Sequence, residues 1–166
     1  MSIEQLEETA QAMVAPGKGI IAVDESNATI GKRFAAVGVE NTEEHRRAYR
    51  EMLLTTPRLG EHISGAILYD ETLRQATRTG VPFTRILTEA GILPGIKVDK
   101  GPVPLAGFPG DVVTEGLDGL RPRLKEYAAL GAKFAKWRAV IAITEDTPSG
   151  TCIESNCHAL ARYAAL

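Results

Sequence analysis

Residues 131–140 read GAKFAKWRAV, a stretch apolar enough for a strand yet carrying Lys136 and Arg138 two residues apart. Strand side chains alternate between faces, so Phe134, Lys136 and Arg138 share one face and Ala135, Trp137 and Ala139 the other. A solvated edge strand carries such charges cheaply. A strand lining a barrel carries them only for a chemical reason. The choice between these readings sets both the fold and the function.

The surrounding pattern alternates helix and strand. Ile3 to Val14 reads as a leading helix stopped by Ala15-Pro16-Gly17. Gly19 to Val23 reads as a buried strand ending at Asp24, Ile63 to Tyr69 as a second and Pro94 to Val98 as a third. Lys133 to Ile143 is the fourth. Between them, Asn41 with Glu44 three residues on suggests a capping box for a helix running to about Leu54. Pro82 and Gly91 frame a short helix. Pro102 to Gly110 reads as a loop. Leu117, Leu120, Leu124, Tyr127 and Leu130 recur at helical spacing before Gly131. A last helix spans Ile153 to Leu166, with Ile153, Leu160 and Tyr163 as its core contacts.

Apolar strands alternating with helices imply parallel βαβ units. An open doubly wound sheet and a (β/α)8 barrel both satisfy this. No glycine-rich phosphate loop follows any strand, which weakens the nucleotide-binding doubly wound reading. A complete barrel needs about 250 residues, and the 166 here supply about four strands. The barrel reading is therefore of half a barrel, and the stop within LARYAAL, without a C-cap signal, suggests truncation.

Composition narrows the function classes. With 24% charged residues and a formal net charge of −2, and no basic block, there is no footprint for nucleic acid. No apolar run approaches the roughly 18 residues of a membrane span, and Ser2 to Glu8 is polar and acidic, unlike a secretory leader. Cys152 and Cys157 fit neither a disulfide framework nor a common zinc spacing, and His45, His62 and His158 are scattered. A cytoplasmic protein without a metal is expected.

The charges gather at the carboxyl ends of the strands, where parallel α/β folds build their sites. Asp24 closes IIAVD, Lys97 and Asp99 alternate with Ile96 and Val98, and Lys136 and Arg138 flank Trp137. Each has a bland alternative. Asp24 can cap a turn, Lys97 can reach water along its stem, Asp99 and Lys100 can form a turn pair, and Lys136 with Arg138 can lie on a wet edge. Recurrence at three strand ends favours a site. A lysine beside another cation releases its proton more readily and becomes an amine nucleophile or base. An aspartate nearby can take a proton, and lysine, arginine and the hydroxyls of Ser26 and Thr29 suit phosphate. The set suggests carbonyl chemistry on a phosphorylated small molecule.

The stretches APGKGIIAVDES (15–26), ENTEEHRRAYREMLL (40–54), GIKVDKGPVPLAG (95–107), EGLDGLRPRLKEYAALGAKFAKWRAV (115–140) and LARYA (160–164) resemble class I, Schiff-base-forming fructose-bisphosphate aldolase. The resemblance covers the amino-terminal half of that family's chain. It implies one partial domain, residues 1–166, of a (β/α)8 TIM barrel. It implies reversible cleavage of fructose 1,6-bisphosphate to dihydroxyacetone phosphate and glyceraldehyde 3-phosphate in glycolysis and gluconeogenesis. No cofactor and no metal are implied, and the full-length protein would be a homotetramer. Asp24 then engages the substrate hydroxyl where the carbon–carbon bond breaks. Lys136 resembles the auxiliary lysine and Arg138 its partner, while Lys97 and Ser26 match the distal phosphate site. Thr29 stands where many relatives have serine. Lys32, Arg33 and Arg46 match basic positions near the active-site mouth, and Arg33, Arg46 and Arg138 are expected with Ser26 and Lys97 to bind substrate. The family's Schiff-base lysine and acid–base glutamates fall beyond Leu166, so the fragment alone is expected to be inactive and, with strand edges open, prone to pairing or aggregation. A non-catalytic binding or assembly fragment, or another phosphosugar barrel enzyme, is the competing reading.

Overall fold

A computed structural model describes residues 2–166. In chain order its first elements are α1 (Ile3–Met13), β1 (Gly19–Val23), α2 (Asn27–Ala36), α3 (Glu43–Leu54), α4 (Leu59–His62), β2 (Ile63–Leu68) and α5 (Asp70–Arg74). There follow α6 (Phe83–Glu89), β3 (Leu93–Lys97), β4 (Gly101–Pro104), β5 (Val112–Glu115), α7 (Leu120–Ala129), β6 (Phe134–Lys136) and α8 (Gly150–Ala165). Two compact units share them: one holds residues up to Lys97 together with Tyr127–Ala135, the other Val98–Glu126 and Lys136–Leu166.

The first unit is built on a sheet of order β1-β2-β3-β6. β1 with β2 and β2 with β3 are parallel, in registers that pair Val23 with Leu68 and Leu68 with Ile96. Beyond β3, Lys133 N–H donates to the Pro94 carbonyl at 2.8 Å as the chain enters β6. Strands laid down in chain order, without the reversal of a doubly wound sheet, are the arrangement of the first half of a (β/α)8 barrel.

The two faces of this sheet differ. Val23, Ala66, Leu68 and Ile96 are fully buried, as are Ile30, Leu54, Leu73, Phe83 and Leu87 of the helices, and together they form the core. The opposite face carries Ile20, which is 41% exposed, and Ala22, Ile67 and Gly95. Phe134 lies over the glycines of that face, and a Cβ added at Gly65 would meet its ring at 3.2 Å.

Local chemistry sets the helix ends. Ser26 begins α2, its hydroxyl accepting from Thr29 N–H at 3.4 Å. Thr42, not Asn41, caps α3 by accepting from His45 N–H at 3.2 Å. Asn41 instead meets Arg46. Pro82 and Gly91 bound α6 as expected, Gly91 at φ 72°, a left-handed value that suits glycine.

In the second unit, the Pro102–Gly110 stretch is more ordered than its glycines and prolines suggest. β4 and β5 form an antiparallel hairpin pairing Gly101 with Glu115 and Pro104 with Val112. The last helix buries Cys152, Asn156 and Ala159, while Ile153 is exposed. Asn156 decides that rotation. Its amide donates to the Val112 carbonyl at 2.9 Å and accepts from Thr114 N–H at 3.2 Å, edging β5 with polar bonds. The fourth strand is also shorter than its apolar run, ending at Lys136; Ala139–Ile143 is irregular, with Ile143 exposed.

Ser149 caps α8, accepting from Cys152 N–H at 3.1 Å, while its own N–H donates to the buried Asp111 carboxylate at 3.1 Å. The Ser149 hydroxyl and N–H hold the Asp111 carboxyl below the ordinary aspartate value, against the opposing effect of burial. A lowered folded-state value contributes stability above the unfolded value, and that contribution is lost as pH falls through the folded one. Asp111→Asn is therefore expected to lower the urea midpoint at neutral pH. The deficit should shrink as the pH drops below the usual aspartate range, and a deficit of constant size across that range would contradict this account.

Candidate active site

In the first unit the parallel register puts Asp24, Tyr69 and Lys97 at the carboxyl edge of three consecutive strands. Asp24 follows Ala22, and Lys97 follows Gly95, on the face that Phe134 covers. This is the face not filled by the helices, so charge there does not disrupt the core. Asp24 itself is buried, 8% exposed. Immediately after it Ser26 opens α2, so the positive end of a ten-residue helix lies beside the end of β1. Ser26 and Thr29 share a hydroxyl contact at 3.1 Å.

Arg33, in the last turn of α2, pairs with Glu25 and leaves most of its side chain exposed. The other Glu25 oxygen accepts from Arg50, which is buried on α3. Arg46 is engaged differently from Arg33. Its Nε and Nη2 each donate to Glu71 at 2.7 Å, and Nη1 donates to the side-chain oxygen of Asn41 at 3.0 Å. The Glu71 carboxylate holds the Arg46 guanidinium above its ordinary value. Arg46 thus ties α3 to α5, and its fork is fully directed at protein groups.

In the second unit Lys136 and Arg138 lie beside the chain that leaves β3. Val98 N–H donates to the Lys136 carbonyl at 3.0 Å. Two residues on, the backbone of Arg138 is held at both ends: its N–H donates to Asp99 at 3.3 Å, and its carbonyl accepts from the Thr114 hydroxyl at 2.9 Å. The second Asp99 oxygen accepts from Gly101 N–H at 3.1 Å. Asp99 therefore replaces the ladder that stops at Lys136. Trp137 packs on Tyr163 with ring centroids 5.4 Å apart, and burial, assisted by the Asp99 charge, raises the Tyr163 hydroxyl. Arg123 donates to the Gly116 carbonyl at 2.7 Å and to that of Val98 at 3.2 Å, closing this cluster.

The sequence names Asp24, Ser26, Arg33, Arg46 and Lys97 in one unit and Lys136 and Arg138 in the other. What it does not reveal is the carboxylate wiring, Glu25 to Arg33 and Arg50, Glu71 to Arg46. The one available signal is a charged residue on the buried stripe of α3, where Arg50 precedes Leu54 by one turn. Among the described residues no group of His, Cys, Asp and Glu could hold a metal ion, and no helix is long and apolar enough to cross a membrane. Both cysteines are free thiols.

Comparison with known proteins identifies the family and the fold. A family model described as fructose-bisphosphate aldolase class-I matches residues 5–166. A probable fructose-bisphosphate aldolase class 1 of Xanthomonas campestris is 75% identical over 166 residues, covering 100% of this chain and 50% of the relative. A fructose-bisphosphate aldolase of Echinococcus multilocularis is 54% identical over 163 residues, covering 98% of this chain and 45% of the relative. The chain thus spans about half the length of the curated relatives it matches. Among solved structures, fructose-bisphosphate aldolase from Plasmodium falciparum, in a ternary complex with TRAP and a small-molecule inhibitor, superposes with a TM-score of 0.94 at 49% identity. That match covers 97% of this chain and 47% of the other.

Proposed function

Because the chain belongs to the class-I fructose-bisphosphate aldolase family, we propose that it supplies the amino-terminal half of an enzyme that reversibly cleaves fructose 1,6-bisphosphate through a Schiff base. The observation that carries this reading is the divided sheet: one face is packed apolar core, and the other ends in Asp24 and Lys97 at the carboxyl edge.

In this reading Asp24 engages the hydroxyl on the carbon whose bond breaks and manages its proton. Lys136 assists carbinolamine and Schiff-base formation, and Arg138, its backbone clamped by Asp99 and Thr114, orders the charges around it. Lys97, Ser26 and the α2 amino terminus favour the distal phosphate, and Arg33 adds a cation. Arg46 supports the site by holding α5. The Schiff-base lysine and the acid–base glutamates belong to the other half of the family's barrel. The working enzyme is a cytoplasmic homotetramer of glycolysis and gluconeogenesis that uses no cofactor.

The test is a hybrid in which residues 1–166 replace the matching half of the Xanthomonas campestris relative. It should cleave fructose 1,6-bisphosphate in a coupled assay and be labelled covalently by dihydroxyacetone phosphate and borohydride, since reduction leaves the substrate attached to the protein only where a Schiff base has formed. Cleavage without labelling would overturn the Schiff-base reading, and no cleavage would overturn the activity. The 166-residue chain alone should give no turnover.

A further inference from the structure

Arg50 heads the fully buried side chains among the described residues, 2% exposed, and nothing in the chemistry above uses it. All three of its nitrogens are aimed at two strand ends. Nη1 donates to the Glu25 carboxylate, Nη2 to the Glu25 carbonyl at 3.0 Å, and Nε to the Thr72 hydroxyl at 3.3 Å. Its guanidinium also lies 5.4 Å from the centre of the Tyr49 ring. Glu25 directly follows Asp24, and Thr72 is on α5, the helix that follows β2. Arg50 therefore grips the β1–α2 turn from behind and fastens it to the end of the neighbouring strand.

Stability alone is a poor reason for such a group. Desolvating a guanidinium is expensive, and a well-packed apolar side chain of similar volume often serves as well or better. An apolar side chain cannot, however, fix the direction of a carbonyl and a carboxylate. Arg50 does both, one residue away from Asp24. Glu25 meanwhile turns its remaining oxygen to Arg33, so the same clamp sets the cation on α2.

We infer that Arg50 is a positioning residue that holds Asp24 in its working orientation by acting through Glu25, without touching substrate. The inference rests on the aldolase reading, in which Asp24 acts at the cleaved bond. A displacement of about 1 Å at a reacting group is enough to lower a rate by about a hundredfold, so the expected loss is in the cleavage step.

The hybrid enzyme with Arg50→Met separates this from a folding defect. Borohydride trapping counts the subunits that fold and form the Schiff base, and cleavage is then expressed per trapped subunit. Trapping should stay within about twofold of the parent while cleavage per trapped subunit falls at least about tenfold. Arg50→Lys, which keeps the charge and loses the fork, should recover part of the rate. Should Arg50→Met fail to fold, the double variant Glu25→Gln/Arg50→Met, which removes both charges together, takes its place with the same expectation. Parent-like cleavage per trapped subunit would overturn the inference, as would trapping and cleavage falling in proportion. A parent hybrid that neither cleaves nor traps would instead overturn the aldolase reading, and this inference with it.

Discussion

Asp24→Asn is expected to lower kcat of the hybrid enzyme by about 10²–10⁴, the range lost when a positioned acid–base group is removed. Asparagine keeps the shape of the side chain but cannot take a proton at neutral pH. The neighbouring carboxylate cannot substitute, since both Glu25 oxygens are committed to Arg33 and Arg50. The phosphate contacts proposed for Lys97, Ser26 and Arg33 do not involve the replaced atom, so KM should change little. The measurement is steady-state cleavage of fructose 1,6-bisphosphate, with a thermal melt to show that the variant is folded. A kcat within a few-fold of the parent would remove Asp24 from the chemistry.

The second large effect is on folding. Gly95→Ala should destabilise the protein by about 1–3 kcal/mol, the usual consequence of overpacking a filled site. A Cβ at this position would fall within the ring of Phe134, which already touches the position of a Cβ at Gly65. The ring has little room to retreat because it covers two neighbouring strands. Shrinking the obstacle should restore part of the loss, so Gly95→Ala/Phe134→Leu should be more stable than the sum of the two single variants predicts. Urea midpoints of the four proteins provide the cycle. Simple additivity would mean that ring and glycine do not share the space described.

Much of the frame is legible without a structure. The runs Gly19–Val23 and Ile63–Leu68 are short, largely apolar and bounded by turn residues, which is how strands of a parallel sheet read. The charges that close them are legible for the same reason, since they interrupt an apolar run at its carboxyl end. α2 is hidden because NATIGKRFAA is a weak helix former with Gly31 in its middle. A Cβ at that glycine would meet the end of the Asn41 side chain. The β4–β5 hairpin is hidden by prolines that sit within a two-stranded ribbon, where ladder bonds can be forgone. The length of β6 is overstated because Ala139–Ile143 is apolar, yet pairing with β3 ends where Asp99 turns its carboxylate to Arg138. In α8 residue type misleads as well: the apolar Ile153 is exposed and the polar Asn156 is buried, because only Asn156 can satisfy both a donor and an acceptor of β5. The Glu25–Arg50 pair joins residues 25 apart and has no local pattern to announce it.

The two-sided sheet has a consequence for how this sequence can drift over time. Neighbouring residues along a strand answer to unrelated demands. Val23 and Ile96 belong to the packed core, whereas on the proposed aldolase reading Asp24 and Lys97, one step further on, answer to what the protein can convert. Selection for abundance and selection for turnover therefore meet at the carboxyl end of a strand. A lineage that relaxed only the second would keep its apolar strands while the charges at their carboxyl ends eroded.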